Sequence, residues 1–375
     1  MNTIYFDNNA TTRVDDEVIE SMIPYFTTSY GNPASTLHPF GWEVSERIKL
    51  ETEKIANIIN CDPGEIVYTS GATQAINVYL KCLVGHVKNR IPHIISCLTE
   101  HPAVIDTLNF LRESNKAEIT YLGVDREGRI DLQELEANIK PTTEVVCIMA
   151  ANNETGVLQD IVTIGEICNE RGIKFFTDAT QFVGKMKLDL SEVFADGVAF
   201  SAHKFHGPKG IGVLRVKNEK NLENQMAFQH GGWKQKGLLA GTLNVPGIIG
   251  LAKAMEIFDR DYWEINSFVS KIKNQFEHQL LDIPELRING STRYRIYNTS
   301  NITFPSGINL RKAVMKFAFS SGSACASKSD APSHVLKSMS VPERDIKNSF
   351  RFSFSKYNSE EEVKEFVSFL RNSPQ

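Results

Sequence analysis

The sequence predicts an α/β protein, with a large domain on a mostly parallel central sheet and a smaller α+β domain at the C-terminal end. Three observations point to it. Short β-rich runs alternate with helical patterns through the first two thirds of the chain, which is the mark of βαβ units. The first of those runs passes straight into Gly71-Ala72-Thr73 and a helical pattern. Near residue 260 the alternation gives way to a different texture.

Taken in order, Val44, Ile48, Ile55 and Ile58 recur at helical spacing between Phe40 and Asn60. The runs read as strands are IVYTS (66–70), HIISC (93–97), EITYLG (118–123), EVVCIMA (144–150), KFFTDA (174–179), GVAFSA (197–202) and GVLRV (212–216). Helices fill most of the gaps between them. A long helical stretch follows Val245, and after it come RIYNTSNITFP, a Ser/Gly-rich loop, NSFRFSFS and a charged terminal helix. This divides the chain into a large domain over residues 13–259 and a small one made of 1–12 and 260–375.

A chain of 375 residues is long enough for that arrangement, at roughly 150 residues per domain. Hydrophobic residues make up 41% and charged ones 23%, and 41 basic against 45 acidic side chains leave a net charge of −4. Such a balance carries no footprint for direct binding of nucleic acid or of an anionic membrane. No apolar run approaches the roughly 20 residues that span a bilayer, and MNTIYFDNNATT has no basic segment leading an apolar one. A cytoplasmic protein is expected. Cys61, Cys82, Cys97, Cys147, Cys168 and Cys325 show no metal-site spacing and no disulfide framework. Cys97 and Cys147 lie within strand-like runs and Cys168 within an apolar helix pattern, where a small buried thiol is the default, whereas Cys325 lies among small polar residues where an exposed loop is expected.

Chemistry concentrates in FSAHKFHGPKGIG (200–212), where an apolar run ends on Lys204 at the C-terminal edge of a strand. Ligands of open α/β sheets bind at that edge. A lone lysine there more often snorkels into water, so its neighbours decide. Gly71-Ala72-Thr73 sets backbone N–H groups and a hydroxyl at a helix N-terminus, a site suited to phosphate and equally to an ordinary cap. Ser201 and His203 could add donors to the same phosphate. Asp178, at the end of KFFTDA, either caps the next helix or keeps the ring nitrogen of pyridoxal 5′-phosphate protonated opposite a Schiff-base lysine.

The segments FDNNATT, GNPAS, TSGAT, TEHPAV, NNETGV, DATQ, SAHKFHGPKGIG, SSGSACAS and RFSFS, in this order and spacing, resemble the cysteine desulfurases, pyridoxal-phosphate enzymes of the class V aminotransferase superfamily. The resemblance covers essentially the whole chain. It implies an aspartate-aminotransferase-like fold of type I, a homodimer, and conversion of L-cysteine to L-alanine, with the sulfur left on an enzyme cysteine as a persulfide. By it, Lys204 matches the lysine bonded to the cofactor, Asp178 the partner of the pyridine nitrogen, and Gln181 a residue reaching the phenolic oxygen. Ala72, Thr73, Ser201 and His203 match phosphate-binding positions, and Thr242 one that reaches the phosphate of the other subunit. His101 matches the histidine stacked on the ring, a plausible acid/base, although on its own it reads as a surface or capping residue. Arg351 matches the grip on the substrate carboxylate, and Asn153 a position near cofactor and substrate; by pattern alone Arg351 could equally face solvent. Cys325 matches the persulfide carrier, whose thiolate attacks the substrate sulfur.

In GGWKQKGLLAGT the chain departs from the family, with Gln235 where glutamate and Leu239 where arginine are common. The pair reads as an ion pair lost as a unit. The resemblance implies a protein acceptor for the sulfur, belonging to an iron–sulfur scaffold, a tRNA-thiolation or a DNA-phosphorothioation system. Selenocysteine lyase, another class V lyase, and a non-catalytic sulfur-relay subunit are the competing readings.

Overall fold

The computed structural model describes residues 3–217, 227–232, 235–308, 310–321 and 332–372. A short strand β1 (Ile4–Tyr5) opens the chain. Seven further strands form one sheet: β2 (Ile66–Thr69), β3 (His93–Cys97), β4 (Glu118–Leu122), β5 (Thr143–Cys147), β6 (Lys174–Asp178), β7 (Gly197–Ser201) and β8 (Gly212–Val216). Their spatial order is β2-β8-β7-β6-β5-β3-β4. From β4 across to β7 every pairing is parallel, and β8 alone runs the other way, between β2 and β7. The reason is connection length. Parallel neighbours need a crossover of a dozen or more residues, and the turn from Ser201 to Gly212 is shorter and holds only a single helical turn, Ala202–Lys204. GVLRV therefore folds back on GVAFS as its antiparallel neighbour.

Strands β2, β3, β6, β7 and β8 are wholly or almost wholly buried, as expected of a sheet covered on both faces. One face packs on the helices Pro39–Ile58, Ile161–Glu170 and the first part of Val245–Leu280; the other packs on Ala72–His86 and Pro102–Glu113. EVVCIMA is strand only as far as Cys147. Beyond it the chain stays bonded to the neighbouring strand through Ile148 N to Phe176 O (3.1 Å) and Ala150 N to Asp178 O (3.0 Å), which delivers residues 149–153 to the sheet's C-terminal edge.

A separate phenylalanine-rich core lies at the end of the molecule where the two chain ends meet. It joins Ile4 and Phe6 to Phe276 and Leu280 of the long helix, and to Phe304, Phe317, Phe352, Phe354 and Phe366. Here β1 lies parallel to β11 (Phe317–Ala318), and β10 (Thr299–Thr303) is flanked by β9 (Arg287–Ile288) and β12 (Ser349–Ser353) in an antiparallel sheet. The 36-residue helix Val245–Leu280 belongs to both cores: Val245 to Ile257 face the large sheet, while Val269 to Leu280 face the phenylalanines. Among the described residues no helix is long and apolar enough to cross a membrane.

Candidate active site

A cavity of about 180 Å3 opens at the C-terminal edge of the large sheet. Its wall is assembled from loop after loop of that edge. Ala72, Thr73 and Ile76 come from the turn after β2, His101 from the turn after β3, and Met149, Ala151 and Asn153 from the segment after β5. Asp178, Thr180 and Gln181 follow from the end of β6, and Ser201, His203 and Lys204 from the end of β7. Asn9, Ala10 and Arg351 arrive from the two chain ends.

The turn after β2 is compact because it must be. Gly71 has φ +153, and a Cβ there would lie 3.3 Å from Ser201 Oγ; a Cβ on Gly212 would come within 2.7 Å of Gly71 Cα. Two glycines thus let β2, β7 and β8 converge. The Ala72 N–H, first in the Ala72–His86 helix, donates to Ser201 Oγ at 2.7 Å. That helix start, with its N–H groups and partial positive charge, faces the cavity beside the Thr73 side chain. Burial, and the nearby Lys204, Lys209 and Lys185, lower the His203 imidazole to about 4, so it is neutral near pH 7; its Nδ1 sits 3.1 Å from Thr11 Oγ1.

Asp178 is buried, and Oδ1 accepts the Thr180 N–H at 3.0 Å. The carboxylate caps its own turn and also lines the cavity. His101 is similar. As the N-cap of Pro102–Glu113, its Nδ1 accepts the Ala103 N–H at 3.1 Å. With Nδ1 occupied as an acceptor, the neutral ring carries its proton on Nε2. Burial lowers its proton affinity, with Lys204 and His334 adding to the effect and Asp178 opposing it.

Lys204 Nζ donates to two backbone carbonyls, Asn9 O at 2.7 Å and Ala10 O at 2.9 Å. Arg351 is 1% exposed and is held by Asp7 Oδ1 (2.5 Å) and Asn153 O (3.1 Å). Its Nε has no partner, nor has the Thr180 hydroxyl, and both residues line the cavity. Orphaned polar atoms, a helix start aimed inward, a lysine and a buried carboxylate together fit an anionic, polar aromatic cofactor such as pyridoxal phosphate.

Cys325 lies outside the described residues. Thr242 is exposed, in the segment just before the long helix, and does not line the cavity. Gln235 Oε1 accepts the Tyr68 N–H at 3.0 Å, and Leu239 is buried in the apolar cluster that includes Ala72 and Ile76. Several residues with no assigned role in the sequence reading also contribute. Asn9 and Ala10 lie within FDNNATT, whose motif is visible but whose contacts are not. Glu100, beside His101, is fully buried with Oε1 on the Met149 N–H at 2.6 Å and Oε2 unpartnered, and burial pushes its carboxyl well above the usual range. Ser333 Oγ donates to Glu154 Oε2 at 2.5 Å, and His334 Nε2 lies 2.9 Å from Glu100 O.

A single sheet edge supplying a lysine, an acid and a helix start to one cavity defines a class of protein, and residues 4–366 match the family model described as aminotransferase class-V. The chain is 43% identical over 364 residues to the protein named cysteine desulfurase IscS of Neisseria meningitidis, covering 96% of this chain and 89% of that one. Among solved structures it resembles a NifS-like protein (TM-score 0.91, 35% identity, 98% of each chain). It also resembles SspA in complex with cysteine (TM-score 0.84, 33% identity, 95% of this chain and all of that one). The chain belongs to the cysteine desulfurase family of class-V aminotransferases.

Proposed function

We propose that this protein is a pyridoxal-phosphate-dependent cysteine desulfurase that takes sulfur from L-cysteine, leaves L-alanine, and hands the sulfur on from Cys325. The observation that carries the reading is the convergence of Lys204, Asp178, His101 and Arg351 on one cavity. In this reading the bound cofactor supplies an electron sink for the charge left when the substrate loses its α-proton.

Each residue of the chain then has a defined task. Lys204 offers the amine that bonds the cofactor aldehyde. Asp178 holds the proton on the ring nitrogen, Gln181 donates to the phenolic oxygen, and the Ala72 N–H end of the helix with Thr73, Ser201 and His203 binds the phosphate. His101 holds a proton at Nε2 over the ring. Arg351 and Asn153, both in the cavity wall, orient the substrate carboxylate. The Cys325 thiolate attacks the substrate sulfur; the Cβ–S bond breaks with its electron pair remaining on carbon, which then takes a proton. The persulfide passes to a protein thiol of an iron–sulfur, tRNA-thiolation or DNA-phosphorothioation system. The assembled cavity speaks against a non-catalytic relay subunit.

The division into residues 13–259 and 1–12 with 260–375 is supported by the two cores that share the long helix. A homodimer is supported by a run of exposed apolar side chains, Ile23, Phe26, Tyr30, Leu37, Phe40 and Trp42, with Leu37 91% exposed. Thr242, exposed and away from its own cavity, is then available to the partner subunit's phosphate. That Gln235 accepts a backbone N–H and Leu239 packs in an apolar cluster is compatible with their joint replacement of an ion pair. A cytoplasmic setting agrees with the free thiols of Cys61, Cys97, Cys147 and Cys168.

Intact mass after incubation with cysteine tests the reading. One added sulfur, mapped to Cys325 and absent from Cys325→Ala, is expected together with stoichiometric alanine. Alanine formed without a persulfide at Cys325 would overturn the carrier assignment, and release of selenium from selenocysteine with no turnover of cysteine would favour the lyase.

A further inference from the structure

Resting on the cofactor reading above, we infer that Lys185 is a positioning residue: it holds the Gln181 carboxamide and the Asn9 side chain in the orientation that sets an N–H donor and a carbonyl acceptor beside Lys204. Lys185 does not line the cofactor cavity. It lies behind it, in an adjoining space of about 40 Å3 also bordered by Asp15, His206 and Lys356. The chain is turned inward there by Gly184, whose φ is +78 and on which a Cβ would fall 2.2 Å from Phe205 Cβ. Lys185 is consequently 4% exposed.

Its Nζ donates to two side-chain amide oxygens, Asn9 Oδ1 at 2.8 Å and Gln181 Oε1. Among the described residues no carboxylate pairs with it. Burial, with Lys204 and Arg351 close by, lowers its proton affinity well below that of an ordinary lysine. Its hydrogen bonds go to these two side-chain oxygens, which ties the placement of Lys185 to that of Asn9 and Gln181.

The orientation can be read without seeing hydrogens. Gln181 Nε2 lies 3.0 Å from Asn9 O, an atom that only accepts, so the NH2 end of the carboxamide is on that side and Oε1 faces Lys185. Asn9 is fixed as well: Oδ1 receives Lys185 and Asn298 Nδ2 (3.3 Å), and Nδ2 donates to Thr299 Oγ1 (2.8 Å) and Asn153 O (3.3 Å). The carbonyl of that pinned residue is the one that receives both Gln181 and Lys204. Without Lys185, Gln181 Oε1 loses its donor and the carboxamide is held by the single bond from Nε2 to Asn9 O, so its orientation is less firmly set.

The test compares wild type, Lys185→Met, Gln181→Leu and the double variant, each stripped of cofactor and reloaded with pyridoxal phosphate. The readouts are the pH midpoint of the visible cofactor band and the rate of cofactor release, with circular dichroism of the apoproteins as the folding control. Lys185→Gln, which keeps one donor, stands in should the Met variant fail to fold. Lys185→Met is expected to move the midpoint by about one pH unit and to speed release about tenfold, the scale of one lost hydrogen bond, with a smaller further change when it is added to Gln181→Leu, because only the bond to Asn9 is then left to lose. A wild-type midpoint and release rate in Lys185→Met, or full additivity in the double variant, overturns the inference while leaving the cofactor reading intact. A wild type that forms no visible band overturns both.

Discussion

At the scale of single residues, the site works by leaving a few polar atoms unsatisfied amid many that are bonded. Arg351 lines the cavity, is anchored by Asp7 and Asn153 O, and has a buried Nε without a partner. A lysine keeps the charge there but not the planar fork. Arg351→Lys should therefore raise KM for cysteine about tenfold or more with a smaller change in kcat, which steady-state kinetics would reveal. An equal fall in kcat at unchanged KM would place Arg351 elsewhere in the reaction. Glu100 makes a second prediction, about stability. Its folded-state proton affinity is raised above the ordinary carboxyl value of 4.5 by burial, with Asp178 adding to it. Its contribution is complete below that pH and is lost as pH rises toward the folded value, because the unfolded chain ionises while the buried acid holds its proton. Glu100→Gln, neutral at every pH, should raise the thermal midpoint at pH 7 to 8 and flatten its decline with pH; an unchanged slope would mean that Glu100 is ionised in the fold.

At the scale of elements, the loops at the sheet edge are positioned by features the sequence displays to different degrees. Lys204 and Asp178 were legible because each ends an apolar run, and period-two or continuous apolar patterning locates strand ends well. The turn at Gly71 was legible for the same reason. Lys185 and Asn9 were not, since their contact joins positions 176 residues apart and depends on how the amino-terminal segment threads between two cores. The reversal of β8 was open to connection-length reasoning but not to apolar patterning, which is blind to strand direction. His101 shows both of its sequence readings at once, cap and cavity wall. The amino-terminal segment itself is held by Phe6, which meets the rings of Phe276, Phe317, Phe354 and Phe366 at centroid distances of 5.2 to 6.3 Å. Phe6→Ala should cost about 3–5 kcal/mol in denaturant unfolding and loosen Asp7 and Asn9 from the cavity, seen as weaker cofactor retention. A loss below about 1 kcal/mol would mean the core closes over the gap.

For the whole molecule, two cores and one long helix place a cavity between the sheet edge and the chain ends, and Ile23, Phe26, Tyr30, Leu37, Phe40 and Trp42 are exposed, the surface proposed above for a partner. If that partner is a second copy, Phe26→Asp with Leu37→Asp should shift the sedimenting species from dimer to monomer and weaken cofactor binding, through loss of the partner's Thr242. A double variant that sediments as a dimer would move the interface elsewhere. The most direct measurement is borohydride reduction of the pyridoxal-phosphate-loaded protein followed by peptide mapping. A phosphopyridoxyl group on Lys204 is the predicted result; the same group on Lys185, or on no lysine of the cavity, would contradict the assignment on which the chemistry rests.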